Sequence, residues 1–67
     1  MIRVTVNGTA HRLEQPLEIS ALLARLELSG KKVAVERNGE IVPKSAHAQT
    51  LLADGDQLEI VVAVGGG

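Results

Sequence analysis

The 67-residue chain has no cysteine and no phenylalanine, tyrosine or tryptophan. Without cysteine, neither a disulfide nor a thiolate metal site can brace it, although domains of this size often rely on such staples. Its two histidines, His11 and His47, lie far apart and lack the spacing of paired ligands on one helix, so no metal site is expected. Without aromatics, the stacking platforms used by single-strand binders are missing. A formal net charge of -1 offers a polyanion no attraction, so no nucleic-acid partner is expected. No apolar run approaches the ~20 residues of a membrane helix. The opening "MIRVTV" alternates like a strand and does not resemble a secretory leader. The expectation is a cytoplasmic chain with no membrane partner. Stability is left to Val, Leu, Ile and Ala in a chain that is 45% hydrophobic, and one this short buries only about 60% of its unfolded surface.

Charge is unevenly placed. Residues 1–33 carry five basic and three acidic side chains, whereas residues 34–67 carry two and five. From Ala53 onward there are Asp54, Asp56 and Glu59 and no lysine or arginine. The C-terminal region reads as an acidic pole that would steer the chain toward a basic surface.

Periodicity divides the chain into six elements. Ile2, Val4 and Val6 alternate with polar residues, the period of a half-buried strand. Asn7-Gly8 is a hairpin dipeptide, since both residues tolerate positive φ. A second strand runs over Thr9–Glu14 with Leu13 inward, and Pro16 cannot continue a ladder. Ile19, Leu22, Leu23 and Leu26 then form the stripe of an amphipathic helix. Glu18 is a poor N-cap, and Gly30 suits the position just past the helix end. Val33 and Val35 mark a third strand, Asn38-Gly39 a second hairpin turn, and Glu40–Val42 a short fourth strand stopped by Pro43. Ser45 could cap a single helical turn, and Leu51 and Leu52 are expected to return to the core. Asp54-Gly55-Asp56 reads as a plain turn. The last strand opens at Gln57, with Leu58, Ile60 and Val62 on one face and Val61 and Ala63 on the other. One helix on one small sheet gives a two-layer α+β domain. The most apolar strand, the last, belongs at its centre, beside the first.

Little of this carries side-chain chemistry. Two carboxylates around Gly55 are too few for a calcium loop. No phosphate-binding glycine fingerprint is present, and Ser45 and His47 lack a third partner for nucleophilic work. The remaining feature is "VVAVGGG". A frayed end is one reading. The other uses the missing Cβ: a glycine thread enters slots closed to other residues, and three extended residues reach about 10 Å. A carboxylate carried at its end can be activated as an acyl-adenylate and attacked by a sulfur or amine nucleophile.

The segments "IRVTVNG", "VAVERNGEIVPKS" and "LLADGDQLEIVVAVGGG", in this order and spacing, resemble the ThiS family of sulfur carriers in thiamine biosynthesis, over essentially the whole chain. The resemblance implies a ubiquitin-like β-grasp fold: a mixed sheet of about five strands on one helix, with the first and last strands parallel at its centre. It implies a domain over residues 1–64 and a flexible tail over 65–67. It implies no catalytic residue and no bound cofactor, hence a protein co-substrate and not an enzyme. A ThiF-like activating enzyme would use ATP to adenylate Gly67. Sulfur from a cysteine desulfurase or other donor would then give a thiocarboxylate, which a ThiG-like thiazole synthase consumes. Gly65 and Gly66 would thread the tail into those active sites. Gly65 departs from the apolar residue more common there, which loosens the tail. Val61 and Ala63 are the expected partner surface. Two other fates of the same terminal chemistry remain: a MoaD-like carrier for molybdopterin synthesis, disfavoured by the lack of proline before the tail, and a ubiquitin-like protein modifier. A β-grasp binding module with an inert tail is the third alternative.

Overall fold

The computed structural model describes residues 1–63. The expected boundary at residue 64 and the tail residues Gly65, Gly66 and Gly67 lie outside the described residues.

Alternation produces the first hairpin as expected. β1 (Ile2–Val6) and β2 (Thr9–Leu13) pair antiparallel, with Ile2 opposite Leu13 and Val6 opposite Thr9. The turn between them holds Asn7 at φ 50° and Gly8 at φ 85°, both left-handed, as a two-residue turn matched to strand twist requires. Asn38 and Gly39 repeat that geometry between β3 (Val33–Arg37) and β4 (Glu40–Val42). β2 stops at Leu13, one residue short of the expected end.

The helix α1 (Ile19–Arg25) buries Ile19, Leu22 and Leu23. Glu18 makes no side-chain cap, as its chemistry suggested. The first-turn donors left without an intrahelical acceptor are met by the backbone of a distant loop instead: Ile19 N–H donates to Thr50 O and Ser20 N–H to His47 O, each at 3.0 Å. The helix ends earlier than the glycine pattern implied. Glu27, at φ 61°, takes the left-handed position expected at Gly30, which turns the chain three residues later. Leu28 N–H donates back to Leu23 O at 2.8 Å and Glu27 N–H to Ala24 O at 3.1 Å, the paired bonds of a Schellman end. Leu28 packs on the core, and this return forces the reversal before Gly30 is reached.

The sheet order is β2-β1-β5-β3-β4, with β5 (Gln57–Val62) in the middle. β5 runs parallel to β1, with Thr5 beside Gln57, and antiparallel to β3, with Val35 opposite Ile60. Helix and sheet enclose one cluster: Ile2, Val4, Val6, Leu13, Ile19, Leu22, Leu23, Val35, Leu52, Leu58 and Ile60. Of the two leucines expected inside, only Leu52 is buried; Leu51 bridges Glu18 and faces out. Ser45 sits within a 3₁₀ turn, Lys44–Ala46, that Pro43 precedes without a side-chain cap.

Asn7 extends the β1–β5 pairing beyond its ladder. Its backbone N–H donates to Leu58 O at 2.9 Å. Its side-chain amide donates to Ile60 O at 2.9 Å, and its side-chain oxygen accepts Ile60 N–H at 2.8 Å. Asn7→Ala removes both side-chain bonds and leaves a left-handed residue without a local partner, a loss of about 2 kcal/mol. In a domain of this size that lowers Tm by about 10 °C. A scanning-calorimetry shift under about 3 °C would mean that this amide does not hold the strands together.

Candidate functional site

Successive strand residues face opposite sides of a sheet, so burying Leu58 and Ile60 turns Glu59 and Val61 outward. Val61 is 64% exposed, and Ala63 is exposed too. Ala63 N–H donates to Lys32 O at 2.8 Å, which keeps the backbone against the start of β3 as far as the described residues run. Register places Ala34 opposite Val61, and Ile41 opposite Glu36. Ile41 is 66% exposed. Val61 and Ala63 therefore share an uncovered sheet face with Ala34 and Ile41, which the sequence reading did not single out. A shallow depression there is lined by Lys32, Val33, Ala34, Lys44, Val61 and Ala63.

Asp54-Gly55-Asp56 is more than a turn. Gly55, at φ 90°, does turn the chain, and its N–H donates to Arg3 O at 2.8 Å. Arg3 N–H donates to Asp54 Oδ1 at 2.8 Å. Asp56, by contrast, is only 6% exposed. Its Oδ2 accepts Arg37 Nε–H and Ala53 N–H, each at 2.8 Å, and its Oδ1 accepts the Asn38 amide at 3.0 Å. Asn38 in turn accepts Gln57 N–H at 2.9 Å. This clamp ties the first residue of β5 to the β3–β4 turn. Burial alone would raise the Asp56 pKa, but the Ala53 N–H, the Asn38 amide and Arg37 outweigh it and hold the carboxyl below its usual value.

The acidic pole is accordingly thinner than the sequence implied. Asp56 is matched by Arg37, and among the described residues from Ala53 onward the carboxylates facing out are Asp54 and Glu59, with exposed Glu40 and half-buried Glu36 earlier in the chain. His47 is buried and donates through Nε2 to Val42 O at 3.1 Å; it serves the loop that caps α1. Among the described residues no three His, Asp or Glu side chains gather as a metal would need, and no helix is long and apolar enough to cross a membrane. Gly65, Gly66 and Gly67 follow the central strand and lie outside the described residues.

A central last strand, a parallel first strand and one helix across a single face define a β-grasp domain. The crystal structure of a thiamine biosynthesis protein, ThiS, from Geobacter metallireducens has the same fold: TM-score 0.82 and 33% identity, covering 98% of this chain and 100% of that one. The sulfur carrier protein ThiS of Bacillus subtilis is 49% identical over 49 residues, covering 73% of this chain and 74% of its own. A thiazole synthase of Paramagnetospirillum magneticum is 47% identical over 66 residues, and this chain spans only 20% of its length. The ThiS family model matches residues 4–67. The chain belongs to the ThiS family, the sulfur carriers of thiamine biosynthesis.

Proposed function

We propose that the chain carries sulfur as a thiocarboxylate on Gly67 and delivers it for the thiazole ring of thiamine. The Gly67 carboxylate attacks the α-phosphate of ATP in a ThiF-like activating enzyme, and pyrophosphate leaves. Persulfide sulfur from a cysteine desulfurase displaces AMP, so a C–S bond replaces one C–O bond. A thiol then reduces the S–S bond of the resulting acyl disulfide, leaving the thiocarboxylate and a disulfide, whereas a sulfide-level donor would give the thiocarboxylate directly. A ThiG-like thiazole synthase then takes the sulfur. Gly65 and Gly66 pass through the narrow approach to each active site because they carry no Cβ. Val61 and Ala63, with Ala34 and Ile41, form the surface that docks on these enzymes.

The observation that carries this reading is the family match, which runs through Gly67. Two thiazole synthases contain a segment similar to 98% of this chain, which supports a thiazole synthase as the recipient. The chain itself supplies a scaffold and a terminus, and the hard chemistry belongs to the partners. Intact-mass spectrometry after incubation with the activating enzyme, ATP, cysteine, desulfurase and a thiol reductant tests it. The expected product has one terminal oxygen replaced by sulfur. An unchanged mass under conditions that load a known carrier would rule the reading out.

A further inference from the structure

Two like-charged pairs lie directly across ladders on the uncovered sheet face. Arg3 is opposite Arg12 on β1 and β2, and Glu36 is opposite Glu59 on β3 and β5. Like charges so placed weaken a free sheet. Their surroundings differ. Arg3 and Arg12 share a depression with the Asp54 carboxylate, whose charge offsets theirs. Among the described residues Glu36 and Glu59 have no such help: the depression they share is otherwise lined by Asn38, Gly39, Gly55 and Gln57. On its other side Glu36 meets Ile41. The next outward positions along the two strands are Gln57 and Val61 on β5 and Ala34 on β3. Arg37 faces the other way and is held by Asp56, the one ion pair among the described residues. Lys32 and Lys44 line the depression beyond Ala34 and Val61.

We infer that Glu36 and Glu59 form the specificity-determining pair of the docking surface, an inference that rests on the docking role proposed above. The pair receives an arginine or lysine of the partner protein, with Ile41, Ala34 and Val61 on one side of it and Asn38 and Gln57 on the other. A cation seated between two carboxylates removes their mutual repulsion, so the feature that weakens the free sheet strengthens the complex. The apolar side of this seat sheds its water when the complex forms, and each charge interaction then counts for more. The pair's field also speeds encounter with a basic surface. Local rules broken without compensation are expected where a protein works. The rival occupant is a second copy of this chain, whose Arg3 and Arg12 offer the same charge.

The test is Glu36→Gln with Glu59→Gln, compared with Arg3→Gln with Arg12→Gln. The free glutamine variant should melt about 2–4 °C higher than wild type, because the repulsion is gone. Its association with the thiazole synthase and the activating enzyme of the same organism, followed by stopped flow, should slow about tenfold at low salt, and the gap should close as salt rises. The arginine variant should associate at the wild-type rate. Equal rates for wild type and the glutamine variant, or no gain in Tm, overturn the pair's role. Sedimentation showing wild-type dimers that both variants abolish assigns the face to a second copy and also overturns it. If wild type binds neither enzyme while the Tm gain is seen, the docking role itself fails, and the pair's role in docking falls with it.

Discussion

Deleting Gly67 should abolish sulfur loading and thiazole formation while leaving the fold intact. The proposed reactive group is the main-chain carboxylate itself, so no neighbouring side chain can substitute for it. Removal of one residue withdraws that carboxylate by about 3.5 Å from any site built to receive it, and misplacement by even about 1 Å costs on the order of 100-fold in rate. Gly66→Val is the milder companion: the carboxylate stays at its distance, but a branched side chain must enter the slot. It should reduce loading at least tenfold, in line with the sensitivity of reactions to small misplacements. Neither change touches the buried cluster, whose last member along the chain is Ile60, so Tm should stay at the wild-type value. Mass spectrometry of the terminus and complementation of a thiamine-requiring deletion strain read the outcome. Growth supported by the Gly67-deleted protein would end the carrier reading.

Replacing Asp56 by alanine should nearly unfold the domain. The change strands the Arg37 guanidinium, the Asn38 amide and the Ala53 N–H together. The carboxylate is buried and its Arg37 partner partly so; losing three hydrogen bonds to the charged group at once costs about 3 kcal/mol. A chain of this length has about 3–10 kcal/mol in all, so urea denaturation should show a severe loss. The same carboxylate sets the acid limit. Its pKa is lowered in the folded state, so the stabilisation is fully present above the ordinary aspartate value of about 3.9. It is lost as pH falls from there through the folded value. Asp56→Asn should flatten the stability profile below about pH 4. An unchanged acid transition in that variant would assign acid unfolding to other carboxylates.

What could be read from the sequence was what depends on short-range pattern. Ile2, Val4 and Val6 announced a half-buried strand, the two Asn-Gly pairs announced tight turns, and the Ile19–Leu26 stripe announced the helix; all of these are as expected. The central place of the last strand followed from its apolarity. What was not legible depends on contacts across the chain. Asp56 looks like turn chemistry beside Gly55, and only the β3–β5 register brings Arg37 and Asn38 to it. Asn7 looks like a turn residue, yet its amide also completes a strand 53 positions away. Glu27 gives no local sign of a left-handed conformation; the pull of Leu28 to the core decides it. Exposure of Val61 and Ala63 was foreseen from alternation, whereas Ala34 and Ile41 joined them only through strand order.

The strand in the middle of the sheet is also the last described element to be synthesised. Until Gln57–Val62 has left the ribosome, the β1–β2 and β3–β4 hairpins share no ladder, because each meets the rest of the sheet only through β5. Isolated hairpins are marginal in water, so a nascent chain truncated before Gln57 has nothing lasting to hold. Native structure then arrives in one late, cooperative event, after a translation time on the order of seconds. A stalled or clipped product lacking that segment is left open to proteolysis.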